Sequence, residues 1–262
     1  MQDDTTDKSS MLYWYPKIKD LDIPQPKTEM VVMKPRQTWD WGDFIDGKES
    51  IEEIKQIKDA CNRIGYPVFI RTDQLSGKHD WENTCFVKGE DVLEMHLAAL
   101  AEESLTADIV GLLINAIVIR EYIPMDNLFT AFYGKMPVNP EIRFFIENGE
   151  VVCWHWYWIE EAIRNPSIEN WKETIEKRQK ELLDEVKTLK ELCATEVARV
   201  FKDDGFWSVD FCRAKDGRWI LIDLAEGEKS WHPEDCKFNR TPKIDFLKSS
   251  KIITEEDFVK TT

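Results

Sequence analysis

Ionisable residues interrupt the apolar runs of this chain. Val68-Phe69-Ile70 runs into Arg71, and Ile117-Val118-Ile119 runs into Arg120 and Glu121. Glu141 and Arg143 flank Ile142 at the head of an aromatic run, and Asp210 and Asp223 stand inside "SVDF" and "LIDL". An isolated ion in such a setting is costly to take out of water, so each needs a partner. Two arrangements would supply one. Arg71, Arg120 and Arg143 could pair with Asp210, Asp223 and Glu226 across a sheet. Alternatively the cations face an anionic ligand while the carboxylates hold a metal ion. The second fits a nucleoside triphosphate with Mg2+. The arginines and Lys78 would neutralise phosphate oxygens. Neighbouring carboxylates, which repel one another, would share the hard cation. An adenine needs an apolar slot and a free backbone edge. "REYIP" offers both, because Pro124 ends the ladder just after Tyr122 and Ile123.

The surrounding pattern shows which elements must position these groups. "TEMVVM" reads as a strand, while Pro24 and Pro26 argue against helix in the first 33 residues. Ile51, Ile54, Ile57, Cys61 and Ile64 have helical spacing, with Ser50 as N-cap, Glu53 completing a capping box and Gly65 as the stop. A strand from Pro67 to Arg71 follows, then a polar loop with Ser76, Gly77, Lys78 and His79, a strand at 84–87, a helix at 90–104 and a strand at 114–124. Residues 141–158 form a hairpin around Asn148-Gly149, the strongest short hairpin signal. One long helix is expected over 168–202, capped by Ser167, with Ile168, Trp171, Ile175, Leu182, Val186, Leu189, Cys193, Val197 and Val200 on its buried side. A second hairpin turns at Asp216-Gly217, and the charged tail from 241 carries a short helix at "TEEDFV". Strands that arrive as antiparallel pairs make the class α+β rather than a doubly wound sheet. GxGxxG and GxxxxGK[ST] are absent, so dinucleotide and P-loop readings lack their motifs.

Composition narrows the function further. The 262 residues are 42% hydrophobic, which is globular rather than disordered. The net charge of -15 disfavours nonspecific binding to nucleic acid or an anionic membrane, yet permits a small anion in one local basic site. No run of 18 apolar residues is present, so no membrane span is expected. "MQDDTTDKSS" lacks the basic and apolar regions of a secretory signal and reads as a frayed start. The six cysteines form no CxxC pair and only four histidines are present. We read the cysteines as reduced core thiols of a cytoplasmic protein rather than disulfides or a zinc site. His96 reads as structural or surface, His79 as either a phosphate contact or a solvated loop residue, and His232 as a lining of an acceptor pocket.

The order of these motifs resembles the ATP-grasp superfamily: a strand with a phosphate loop, a helix, the hinge strand "IVIREYIP", the arginine-bearing "EIRFFIENGEVV", a long helix and the hairpin "SVDF…DGRWILIDLAEG". Within it the chain is similar to the branch that includes cell-division-cycle protein 123, a clade marked by two arginines and a lysine. The resemblance spans about residues 20–232. It implies two α+β subdomains clasping ATP: a short N-terminal segment over 1–66, a small subdomain with the phosphate loop over 67–124, a large subdomain over 125–240 and a tail over 241–262. Arg71 and Lys78 would contact the phosphates, with Ser76 and Gly77 in a flexible loop closing over them. Arg120 would support the site, Glu121, Tyr122 and Ile123 would form the adenine hinge, and Arg143 would face the terminal phosphate. Asp210 and Asp223 would bind Mg2+. The family's last motif ends in Asn two residues after the acid. Ala225 stands there instead, and Glu226 is the next available ligand. A single Gly77 also departs from glycine-rich versions of the loop.

The leading expectation is an ATP- and Mg2+-dependent ligase joining a carboxylate to an amine through an acylphosphate, with Arg143, Lys78 and Arg71 as catalytic groups and a small molecule or peptide as substrate. Such chemistry is electrostatic positioning, in keeping with the absence of GxSxG or a Cys-His arrangement. The alternative is an ATP-binding assembly chaperone whose acidic surface suits a basic protein partner. A third reading, ATP-dependent nucleic-acid end joining, rests on base stacking by "CWHWYW". Against it stand the charge and the alternation, which puts Trp154, Trp156 and Trp158 on one strand face and Cys153, His155 and Tyr157 on the other, one of them core.

Overall fold

The computed structural model describes residues 7–34, 38–48, 50–107 and 112–240. The short helix expected at "TEEDFV", and the whole tail over 241–262, lie outside the described residues. Two antiparallel four-stranded sheets carry the fold. The first has the order β1(Thr28–Val32)-β4(Ala116–Glu121)-β2(Val68–Thr72)-β3(Phe86–Val87). The second has the order β10(Trp219–Glu226)-β9(Trp207–Arg213)-β7(Glu141–Glu147)-β8(Glu150–Trp156).

Period-two alternation gives each sheet two unlike faces. In the first sheet Val31, Val68, Ile70, Ile117 and Ile119 pack under α2(Thr38–Ile45), α3(Ile54–Ile64) and α4(Leu93–Thr106). Phe69, Arg71 and Arg120 therefore point the other way, into a cavity. In the second sheet Ile142, Phe144, Val209 and Phe211 pack into a core shared with α1(Met11–Ile18) and α6(Leu183–Leu192), while α5(Trp171–Glu181) sets Trp171 and Ile175 against a smaller cluster around Phe129 and Val138. Glu141, Arg143, Asp210 and Cys212 are left facing the same cavity. A small ribbon, β5(Phe129–Ala131) with β6(Met136–Val138), was not anticipated and lends Met136 and Pro137 to the cavity wall.

Several local expectations are corrected. Helix α1 forms although the first 33 residues read as non-helical, because Pro24 and Pro26 lie beyond its end. Ser10 caps it, accepting from the Leu12 N–H at 3.1 Å, and Met11, Trp14 and Ile18 bury one stripe. Residues 7–10 are not frayed: Ser10 is fully buried against Asp73. Helix α2 was unforeseen. Helix α3 starts at Ile54 rather than after Ser50, since the Glu53 carboxylate accepts from the Lys34 N–H at 2.8 Å instead of closing a capping box. Gly65 does end it, at φ 93.

The expected long helix is broken at Leu182, and it begins at Trp171. Ser167 does not cap it; its Oγ accepts from the Thr130 N–H. Its last part, Cys193–Ala198, is a π-helix. Leu189, Cys193, Val197 and Phe201 are buried at four-residue spacing, which drifts about 40° per step on a 3.6-residue turn. The wider π turns bring them back to one side. Val200 falls outside this stripe and is exposed. Residues 28–64 do not precede the first sheet as a separate unit. β1 pairs with β4, and α3 packs on that sheet.

Candidate functional site

The two polar sheet faces meet across a cavity of about 380 Å³. Four cations line it, Arg71, Lys78, Arg120 and Arg143, together with four carboxylates, Glu121, Glu141, Asp210 and Asp223. Arg143 and Asp210 are Cα partners on β7 and β9, and their side chains form a bidentate pair, Nε–Oδ1 and Nη2–Oδ2 both 2.7 Å. Asp223 stands opposite Asp210 on β10, and Arg71 reaches across from the first sheet to donate to its Oδ1 at 3.0 Å. Like charges facing each other on adjacent strands repel, so each needs its own guanidinium. Two of the cross-sheet pairs expected from sequence thus form.

Arg120 behaves differently. The ladder slips between Leu221 and Asp223, which leaves the Ile222 carbonyl free to accept from Arg120 Nη1 at 2.6 Å. Arg120 Nε is buried with no partner among the described residues. Burial, reinforced by the adjacent Arg71 charge, pulls this guanidinium down to about 10. Glu141 Oε1 is also buried without a hydrogen bond, 3.6 Å from Lys78 Nζ. Burial pushes the Glu141 carboxyl up, against the pull of the Lys78 charge. Burial works against the Lys78 ammonium too, but Glu141 and Tyr157 outweigh it and hold it above the usual lysine range. Its Nζ lies 4.3 Å from the Tyr157 ring, and the Arg143 guanidinium stacks on the same ring at 4.8 Å.

At the other end the cavity is apolar. Tyr122 packs on Phe86 at 4.6 Å and on Trp81 at 6.2 Å, with Ile123, Met125, Met136 and Ile222 nearby. Glu121 sits where β4 leaves the ladder, its N–H donating to the Lys27 carbonyl at 2.8 Å. In the loop, Ser76 and Lys78 line the cavity but Gly77 does not. Gly77 is buried at φ 62, and a Cβ there would meet Leu100 Cδ1 at 2.8 Å. Its glycine serves a left-handed turn and a close approach to α4. Thr84 Oγ1 donates to its carbonyl.

Arg71, Ser76, Lys78, Arg120, Glu121, Tyr122, Ile123, Arg143, Asp210 and Asp223, named from sequence, share this cavity; Gly77 and Glu226 do not line it. Glu226 alternates with Leu224 onto the opposite face of β10, where it meets Lys229 and Ser9. Ala225 therefore shares the face of Asp223. Sequence reasoning missed Glu141 as the partner of Lys78, and Trp81 and Tyr157 as aromatic walls. Tyr157 was legible from its alternation with His155, since Trp154 and Trp156 on the other face pack on the main core. His96 is structural, its Nδ1 3.0 Å from the Thr84 carbonyl. His79 is an exposed loop residue that packs edge-on against Phe132. His232 does not line the cavity.

Two cation-bearing antiparallel sheets closing on one cavity are the ATP-grasp arrangement. Residues 29–244 match the model of an ATP-grasp domain, family 3 of the clade marked by two arginines and a lysine, and the chain belongs to that family. Cdc123 from Schizosaccharomyces pombe is similar at 18% identity, covering 83% of this chain and 82% of that one, with a TM-score of 0.48. Its C-terminally truncated form is similar at 16% identity over 97% and 90%, TM-score 0.47. D-alanine–D-alanine ligase from Bacillus anthracis complexed with ATP is similar at 16% identity over 83% and 52%, TM-score 0.41. No curated protein matches by sequence. No helix among the described residues is long and apolar enough to cross a membrane.

Proposed function

We propose that this protein is an ATP- and Mg2+-dependent ligase that joins a carboxylate to an amine or similar nucleophile. The observation that carries the reading is Arg120 Nε, a donor buried without a partner among the described residues in a cavity where four cations converge. Buried polar groups left without partners are costly unless a ligand completes them. Membership of the ATP-grasp family supports a nucleoside triphosphate as that ligand.

The charges pair with one another, Arg143 with Asp210 and Arg71 with Asp223. A triphosphate would take the guanidiniums and Lys78, and the released carboxylates would take a hard divalent ion. Asp210 and Asp223 are oxygen donors on adjoining strands, so the donor set suits Mg2+. When bound, that ion supplies charge neutralisation on the phosphate oxygens. Tyr122 and its aromatic neighbours would sandwich the base, and Glu121 and Ile123 would offer backbone groups at its edge. Arg143, Lys78 and Arg71 would hold the terminal phosphate in line. There the substrate carboxylate oxygen attacks phosphorus and ADP leaves. The amine nitrogen then attacks the acyl carbon, phosphate leaves, and the amine loses its proton.

A second reading, an ATP-holding module without turnover, is favoured by one feature. Ala225 provides no donor on the face of Asp223, and Glu226 is turned away. Incubating the protein with Mg2+, ATP and a panel of carboxylates, with hydroxylamine as acceptor, separates the two. The ligase gives carboxylate-dependent ADP and a hydroxamate. Nucleotide binding with no turnover on any carboxylate selects the module, and no nucleotide binding at all sinks both.

A further inference from the structure

We propose that Cys153, His155, His232 and Cys236 form a tetrahedral zinc site that clamps the segment following β10 onto β8. The donor atoms of these four residues all lie within 4.8 Å of one another. A zinc tetrahedron with Zn–S about 2.3 Å and Zn–N about 2.0–2.1 Å has edges of roughly 3.3–3.8 Å. Closing the cluster on an ion therefore needs inward shifts of about 1 Å or less.

The geometry follows from two local patterns. On β8, alternation places Cys153 and His155 on the same face, away from Trp154 and Trp156. After β10, the chain folds back in two turns, Cys236 N–H to the Pro233 carbonyl at 3.1 Å and Asn239 N–H to the Cys236 carbonyl at 2.9 Å. These turns present His232 and Cys236 together. Cys153 Sγ lies 3.3 Å from His232 Nε2, and the His155 and His232 rings are 4.9 Å apart. His232 is only 3% exposed and stacks on Phe145 at 3.9 Å.

The donors themselves point to a metal. His155 Nε2 is buried without a partner among the described residues, and His232 presents its Nε2 to the Cys153 thiol. Two thiols with two imidazoles suit zinc rather than Mg2+ or Ca2+, which take oxygen. Four protein ligands leave no open position, so the role is structural. A Cys153–Cys236 disulfide would leave both imidazoles unsatisfied. A two-iron cluster needs its cysteine and histidine pairs on separate irons, whereas these donors surround one point.

This corrects the reading of all six cysteines as core thiols. It holds for Cys61, Cys85, Cys193 and Cys212, which are buried and free, but Cys153 and Cys236 are only partly buried. The clamp also reaches the neighbouring cavity, since the carbonyl of Trp231, adjacent to His232, accepts from Arg143 Nη1 at 3.3 Å.

The test is elemental analysis of full-length protein purified under reducing conditions without chelator, followed by chelation and Co2+ replacement. One zinc per chain is expected. The cobalt form should show the visible bands of a tetrahedral ion with a near-ultraviolet thiolate charge-transfer band. The Cys153→Ser/Cys236→Ser variant should lose zinc to background, and chelation should lower the Tm of the wild type but not of the variant. If the variant does not fold, the wild-type cobalt spectrum decides. Wild-type protein that retains no zinc and gives no tetrahedral cobalt spectrum overturns the site. So does undiminished zinc in a folded variant, or a Cys153–Cys236 disulfide in protein isolated without reductant. None of these readouts depends on nucleotide binding.

Discussion

Two buried acidic groups of this molecule are treated in opposite ways. Asp73 is fully buried at the end of β2 and receives four donors: Ser10 Oγ at 2.6 Å, the Asn115 N–H at 3.0 Å, the Ala116 N–H at 3.2 Å and Asn115 Nδ2 at 3.3 Å. Each oxygen accepts two, and the group is complete. Glu141 is nearly as buried, yet one of its oxygens has no hydrogen bond and its nearest cation is 3.6 Å away. The difference separates a carboxylate that holds the chain together from one held ready for something else. Asp73 ties α1 to the ends of β2 and β4, the two inner strands of the first sheet, while Glu141 faces a cavity whose cations are only partly matched. Burial alone does not distinguish structure from function; completeness of the hydrogen bonding does.

The largest expected effect falls on the complete group. Asp73→Ala strands three backbone or side-chain donors and one hydroxyl, and should cost about 3 kcal/mol or more of stability. Urea unfolding measures this, and a loss under about 1 kcal/mol would break the contrast by showing that the satisfied group contributes little.

Next comes Arg120→Met. Removing a guanidinium that is buried and partly unpartnered should leave the urea midpoint nearly unchanged. Affinity for ADP should fall at least tenfold, about 1.4 kcal/mol. Calorimetric titration reads the second quantity. Unchanged ADP affinity with a collapsed midpoint would move Arg120 to the structural side. Lys78→Met should behave similarly, with a smaller change in stability than Asp73→Ala.

The smallest effect is a pH dependence. The folded state raises the Glu141 carboxyl above its ordinary 4.5, mainly by burial, so the fold keeps a proton that the unfolded chain has released. Stability from this group is therefore greatest at low pH and declines as pH rises through the window between the ordinary and the raised value. Glu141→Gln should flatten the pH–stability profile in that window. A profile as steep in the variant as in the wild type assigns the slope to another group.

The contrast also explains what could be read in advance. Arg71, Arg120, Arg143, Asp210 and Asp223 stood out because each breaks an apolar run, and a single alternation rule sends them to the face opposite Ile70, Ile119, Ile142 and Val209. Gly77 reads in sequence as a loop glycine, but its close approach to Leu100 depends on how α4 packs. In sequence Asp73 looks like any solvated loop aspartate until Ser10 and Asn115 are brought beside it. Helix α1 was hidden by prolines that lie past its end, and its stability comes from burying Trp14 rather than from propensity.

From the chain alone came the α+β class, the two hairpins, the side of each strand that carries charge and the resemblance to the ATP-grasp superfamily. These depend on periods of two and on turn residues, which act over a few positions. The tertiary structure alone decided that Glu226 turns away from Asp223, that Lys78 meets Glu141 across the cavity, and that Cys153 and His155 meet His232 and Cys236. Those contacts join residues far apart in the chain. They depend on the register of β7 through β10 and on the turns after β10, and no local pattern encodes a meeting between two distant segments.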